Sequence, residues 1–125
     1  MPIEFPTITS LAFRATASDE GTVATLKLMG TADAAVHAHV ERAITVMREQ
    51  ARSLSVNEVA VDMRELEFMN SSCFKCLITW LSDLLEQPAD QRYRIRFLSD
   101  PTKHWQHRSL RALSCFAVDL VSIES

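Results

Sequence analysis

The sequence predicts an α/β domain, a mixed β-sheet flanked by helices in the order β-β-α-β-α-β-α-β. Three observations carry this expectation. Short period-two runs rich in β-branched residues alternate along the chain with longer runs in which apolar residues recur at helical spacing. Turn and stop signals of Gly, Pro, Asn, Asp and Ser punctuate nearly every change of period. The strands that alternate with helices call for parallel crossovers, whereas the first two are close enough in sequence to form a hairpin.

The elements follow in order. Thr7 to Ala15 and Thr22 to Met29 are strand-like, with the turn-forming cluster Ser18-Asp19-Glu20-Gly21 between them. Asp33 is placed to cap a helix whose apolar stripe is Val36, Val40, Ala43 or Ile44, Met47, Ala51 and Leu54, ending near Ser53. Val59, Val61 and Met63 alternate with Ala60 and Asp62 in a central strand covered on both faces, which opens through Arg64 to Asn70 into Ser71-Ser72. From there Phe74, Leu77, Ile78, Leu81, Leu84 and Leu85 mark a second helix, stopped at Gln87-Pro88 because proline lacks a donor and restricts the residue before it. Tyr93, Ile95 and Phe97 form the next strand, a short helix spans Lys103 to Leu113, and Ala117 to Ile123 is the last strand.

The chain of 125 residues reads as one domain, 1–125, with no repeat or linker. Apolar residues make up 47% and charged ones 23%, and no apolar run approaches the roughly 20 residues needed to cross a bilayer. Pro2, Glu4 and Pro6 stand where a secretory signal needs basic residues and an apolar core, so a cytoplasmic location is expected. The net charge of −3, with Lys and Arg scattered among acids, leaves no footprint for nucleic acid.

The chemistry concentrates at the start of the second helix. Asn70 or Ser71 caps it by accepting from an unpaired N–H of the first turn, which leaves Ser72 inside that turn. At about 100° per residue Ser72 falls on the polar side with Thr79 and Asp83, its hydroxyl accessible and close to the positive end of the helix dipole. Cys76 and Trp80 widen the apolar arc of this helix to about 200°, more than packing on a sheet requires. Trp80 is thus either an anchor for a partner or covered by a neighbouring element.

These residues resemble the STAS domain family, the bacterial anti-sigma factor antagonists. The family signature is a strand ending in Asp-Ser-Ser-Gly before a helix, with phosphorylation of the second Ser; Phe68-Met69-Asn70-Ser71-Ser72-Cys73 stands in that place here. A second landmark, Gly-x-x-Asp after the second strand, matches Gly30-Thr31-Ala32-Asp33. Asn70 replaces the family's Asp and Cys73 its Gly, removing a carboxylate beside the phosphoacceptor. The resemblance implies a signalling module without catalysis or cofactor. It would bind, and be phosphorylated at Ser72 rather than Ser71 by, a regulatory serine kinase or anti-sigma factor. Asp33, Asn70, Ser71 and Ser72, with Thr79, Trp80 and Asp83 from the helix face, are the expected partner surface; a homo-oligomer is allowed. A member that has lost phosphorylation would serve as a constitutive scaffold.

Cys73-Phe74-Lys75-Cys76 is a Cys-x-x-Cys at a helix start, the position of a thiol–disulfide pair, and a small redox protein is the competing reading. The flanking residues do not resemble a thioredoxin, and with Cys115 these cysteines read as small buried hydrophobes. Cys73, Cys76, His104, His107 and Cys115 lack the spacing of a zinc finger, and His37 and His39, two apart, point to different sides of their helix, so no metal is expected. With two glycines in the chain there is no phosphate-binding loop of the Walker type.

Overall fold

The computed structural model describes residues 8–10 and 12–125. The strands are β1 (Ile8–Ser10), β2 (Phe13–Glu20), β3 (Val23–Ala32), β4 (Glu58–Met69), β5 (Arg94–Leu98) and β6 (Val121–Glu124). Three α-helices lie among the described residues, α1 (His37–Leu54), α2 (Ser71–Glu86) and α3 (His104–Phe116). The strands form one sheet in chain order, antiparallel for β1-β2 and β2-β3 and parallel from β3 to β6. Each parallel step is bridged by a helix, as the alternation of periods predicts.

Register sets the faces. Ala24 and Leu26 of β3 lie beside Val59 and Val61 of β4, which lie beside Ile95 and Phe97 of β5. With Leu28 and Met63 these side chains are buried in a single cluster together with Val40, Ala43, Ile44 and Met47 of α1, Leu77 and Leu81 of α2, and Leu110 and Leu113 of α3. The opposite face of β4 is buried as well, through Ala60 and Asp62, but under ion-paired side chains. Arg96 joins Glu58 at 2.8 Å to Glu124 at 2.6 Å, and Arg64 Nη2 lies 2.9 Å from Asp62. Burial alone would raise the Asp62 carboxyl; the hydrogen bonds and charge of Arg64 more than offset it, so the group sits below the usual range.

Four boundaries differ from expectation. The first predicted strand divides into β1 and β2, with Thr7 and Leu11 outside the described residues, as is the N-terminal segment read for a targeting signal. Ser18, Asp19 and Glu20 continue β2, paired with Thr25, Ala24 and Val23, and the turn is made by Gly21 and Thr22, with Gly21 at φ 63°. The last predicted strand starts only at Val121, because α3 runs on to Phe116 and closes in a turn where Ala117 O accepts from Leu120 and Val121 N–H.

The fourth difference places the site. β4 does not end at Met63 but runs to Met69, and β3 runs through Gly30 to Ala32 beside it, with two register shifts. Past Asp62, β4 has lost its β5 neighbour, so one edge is open; charged Arg64, Glu65 and Glu67 tolerate that edge but interrupt the apolar pattern that marks the strand in sequence. The start of α3 supplies the missing donors. Gln106, fully buried, donates Nε2 to the carbonyls of Met63 and Leu66, and Lys103 Nζ donates to Arg64 O.

Candidate functional site

β3 and β4 end in register, Ala32 beside Met69, so the two turns that follow start side by side. Asn70 N–H donates to Ala32 O at 2.9 Å and fixes that juxtaposition. Asn70 is extended, φ −78° and ψ 170°, and its Oδ1 accepts from the Cys73 N–H at 3.0 Å. It is therefore the cap of α2, and Ser71 is the first helical residue. The same Oδ1 accepts the Ser72 hydroxyl at 3.0 Å. On the β3 side, Asp33 Oδ1 accepts from Ala35 N–H at 3.0 Å, capping a 3-10 turn over Ala34–Val36 that leads into α1. The Asp33 carbonyl lies 3.6 Å from Cys73 Sγ. Asp33, Asn70, Ser71 and Ser72 are thus one corner built from two neighbouring strand ends.

Ser71 is exposed, and Ser72 is half-buried because its side chain turns into a groove of about 380 Å³ between α1 and α2. One wall carries Ser72, Cys76 and exposed Thr79; the other is made by His37, Glu41 and Thr45 of α1. Further along, Asp83 is tied to Arg48 of α1 by an ion pair. The polar side of α2 is consequently not a bare surface, as the helical projection suggests, but half of a two-helix cleft.

No protein-family model matches the sequence, and no curated protein matches it. Among solved structures, it is similar to the crystal structure of an anti-sigma factor antagonist from Mycobacterium paratuberculosis, with a TM-score of 0.64 at 14% identity over 90% of this chain and 85% of that one. It is also similar to the anti-sigma factor antagonist SpoIIAA in its unphosphorylated form, with a TM-score of 0.55 at 15% identity over 91% and 89% of the two chains. The fold is STAS-like.

Within that STAS-like frame, one predicted surface residue is misplaced. Trp80 is 1% exposed and belongs to the core, where its indole N–H donates to the Tyr93 hydroxyl at 2.7 Å. The ring packs on Tyr93, just before β5, with centroids 6.4 Å apart, and at 1% exposure it has no free face to offer a partner. Phe68 has what Trp80 lacks. It is 48% exposed, two residues before the cap Asn70, on the open edge of β4. Sequence reasoning passes over it because the central strand reads only as far as Met63; its signal is a large aromatic close to Glu65 and Glu67.

The surroundings of the cysteines do not favour a redox centre. Cys73 is fully buried, and burial pushes its thiol up, only partly offset by the Ser72 hydrogen bond. Burial likewise raises Cys76, reinforced by Glu41 and Cys73. A nucleophilic cysteine needs the opposite displacement, so thiol–disulfide chemistry is not favoured here. His104 and His107 are exposed on α3, and among the described residues the group with metal-ligand proximity is a different one: His37, Glu41 and Cys76.

Proposed function

We propose that this chain is a regulatory protein-interaction module of the anti-sigma factor antagonist type, acting in the cytoplasm on a serine kinase or anti-sigma factor and controlling transcription through it, without catalysis of its own. The observation that carries the reading is the Ser72 hydroxyl, set in the first turn of α2, hydrogen-bonded to the cap Asn70 and flanked by the Asp33 turn. The STAS-like fold and the similarity to two anti-sigma factor antagonist structures support it.

Phosphorylation of Ser72 converts a hydroxyl donor into a group of about −1.5 to −2 charges. The bond to Asn70 Oδ1 is lost, and the phosphate gains the helix dipole and the first-turn N–H groups. Asn70 makes this less unfavourable than an aspartate would, since no carboxylate stands beside the new charge. Exposed Phe68 and Ser71, with Asp33, form the rim against which a partner docks, and the added charge repels it. The half-burial of Ser72 favours a second reading, a scaffold in which the hydroxyl serves only the cap. Partner capture from native cell extract separates the two: Ser72→Glu is expected to release proteins that wild type and Ser72→Ala retain, with an unchanged circular dichroism spectrum. Equal retention by all three supports the scaffold.

A further inference from the structure

The groove beside Ser72 contains a donor set that the phosphoswitch does not use. His37 and Glu41 lie four residues apart on α1, so both side chains leave the same face. Cys76 meets them from α2, with its Sγ 3.6 Å from His37 Nε2, and the ligand atoms of all three lie within 4.8 Å of one another. We propose that His37, Glu41 and Cys76 bind a zinc ion, with a fourth position open to the groove.

The geometry fits. A tetrahedral zinc with bonds of about 2.3 Å to sulfur and 2.0–2.1 Å to nitrogen separates those two ligands by about 3.6 Å. The sulfur and nitrogen are at that separation already, and Glu41, exposed on a helix face, has the side-chain freedom to close the remaining distance. The chemistry selects the metal class. One thiolate, one imidazole and one carboxylate suit zinc, whereas magnesium and calcium want oxygen ligands alone. Binding exchanges the Cys76 thiol proton, released to solvent, for the S–Zn bond, and the two anionic ligands then neutralise the ion.

The other thiols are elsewhere: Cys73 Sγ points to the Asp33 carbonyl and Cys115 is exposed near the end of α3. A bound ion would clip α1 to α2 one turn beyond Ser72 and present its open coordination site to the groove that Ser72 and Thr79 line. This site stands independently of whether Ser72 is phosphorylated.

The test uses the purified 125-residue chain with zinc chloride against a chromophoric chelator, and cobalt(II) chloride as the spectroscopic probe. The expected result is one zinc per chain and a thiolate-to-cobalt charge-transfer band, both retained in Cys73→Ala and Cys115→Ser. Cys76→Ser should abolish the band, and Cys76→Ser, His37→Ala and Glu41→Gln should each weaken zinc binding by at least the roughly 10–100-fold that loss of an outer-shell partner costs. Thermal melts of the metal-free variants confirm that each is folded. Absence of stoichiometric zinc binding, or binding and a cobalt band that survive in folded Cys76→Ser, would overturn the proposal and leave the 3.6 Å contact as an ordinary thiol–imidazole hydrogen bond.

Discussion

Replacing Trp80 is the sharpest perturbation of the packing that holds the corner. The ring is 1% exposed and its N–H is donated to Tyr93. Trp80→Ala removes that volume and takes the partner from a half-buried hydroxyl, a combination that costs about 3–5 kcal/mol. For a 125-residue chain the unfolding entropy is about 0.26 kcal/mol/K, so each kcal/mol lowers Tm by about 4 °C and the expected fall is about 12–20 °C. Trp80→Phe keeps most of the apolar area and loses chiefly the hydrogen bond, for about 1–2 kcal/mol, or about 4–8 °C.

The same substitution has a spectroscopic signature. Burial raises the Tyr93 hydroxyl above its ordinary value, while the indole donor and Arg48 and Arg52 pull it partly back. Its folded pKa thus exceeds the unfolded one, so the stability it contributes is fully present below about pH 10 and is lost as pH rises through the folded value. Without the indole donor the phenolate is less well supported, and Trp80→Phe should ionise at still higher pH. Tyr93 is the single tyrosine in the chain, so tyrosinate absorbance reads it alone. An unchanged Tm in Trp80→Ala, or a downward Tyr93 shift in Trp80→Phe, would refute the assignment of this ring to the core.

The cap makes a second comparison. Asn70→Ala should cost about 1 kcal/mol by thermal melt, whereas Asn70→Asp should be neutral or stabilising by about 0.3–1 kcal/mol. Both bonds at this side chain are accepted by Oδ1, which a carboxylate supplies equally well. Gly30→Ala should cost roughly 3 kcal/mol or more, because φ is +87° and a Cβ would lie 1.8 Å from Ala12 O. Gly21→Ala, at φ +63° but with open space around it, should cost only about 1 kcal/mol in the same chemical-denaturation assay. Gln106→Leu should lower stability by about 2 kcal/mol or more, since Met63 O and Leu66 O lose their buried donor, and should speed amide exchange in the Arg64–Met69 stretch.

Much of this architecture is legible in the residues themselves. The apolar stripe of α1, the capped start of α2 and the alternation in β3, β4 and β5 are local patterns, and each survives folding because tertiary contacts agree with it. The failures are non-local. Arg64 to Met69 is not recognisable as a continuation of the strand because its charges occupy an edge that only β3 pairs, and the side chains that satisfy that edge, Gln106 and Lys103, come from some 40 residues away. Trp80 looks available because a helical projection does not show Tyr93, and Phe68 looks unremarkable because the central strand reads only as far as Met63. At the corner, Asn70, Ser71, Ser72 and Asp33 are visible from their motifs, whereas the link from His37 and Glu41 to Cys76 exists only once α1 packs on α2.

The central claim, that Ser72 is the regulated hydroxyl of this corner, is tested most directly by phosphopeptide mass spectrometry of the chain isolated from its native cells. The expected result is phosphate on Ser72 in a fraction of molecules, absent from the Ser72→Ala chain expressed in the same cells, with Ser71 unmodified. Phosphate on Ser71 alone, or a chain that carries none while Ser72→Glu still binds its native partner as wild type does, would contradict it.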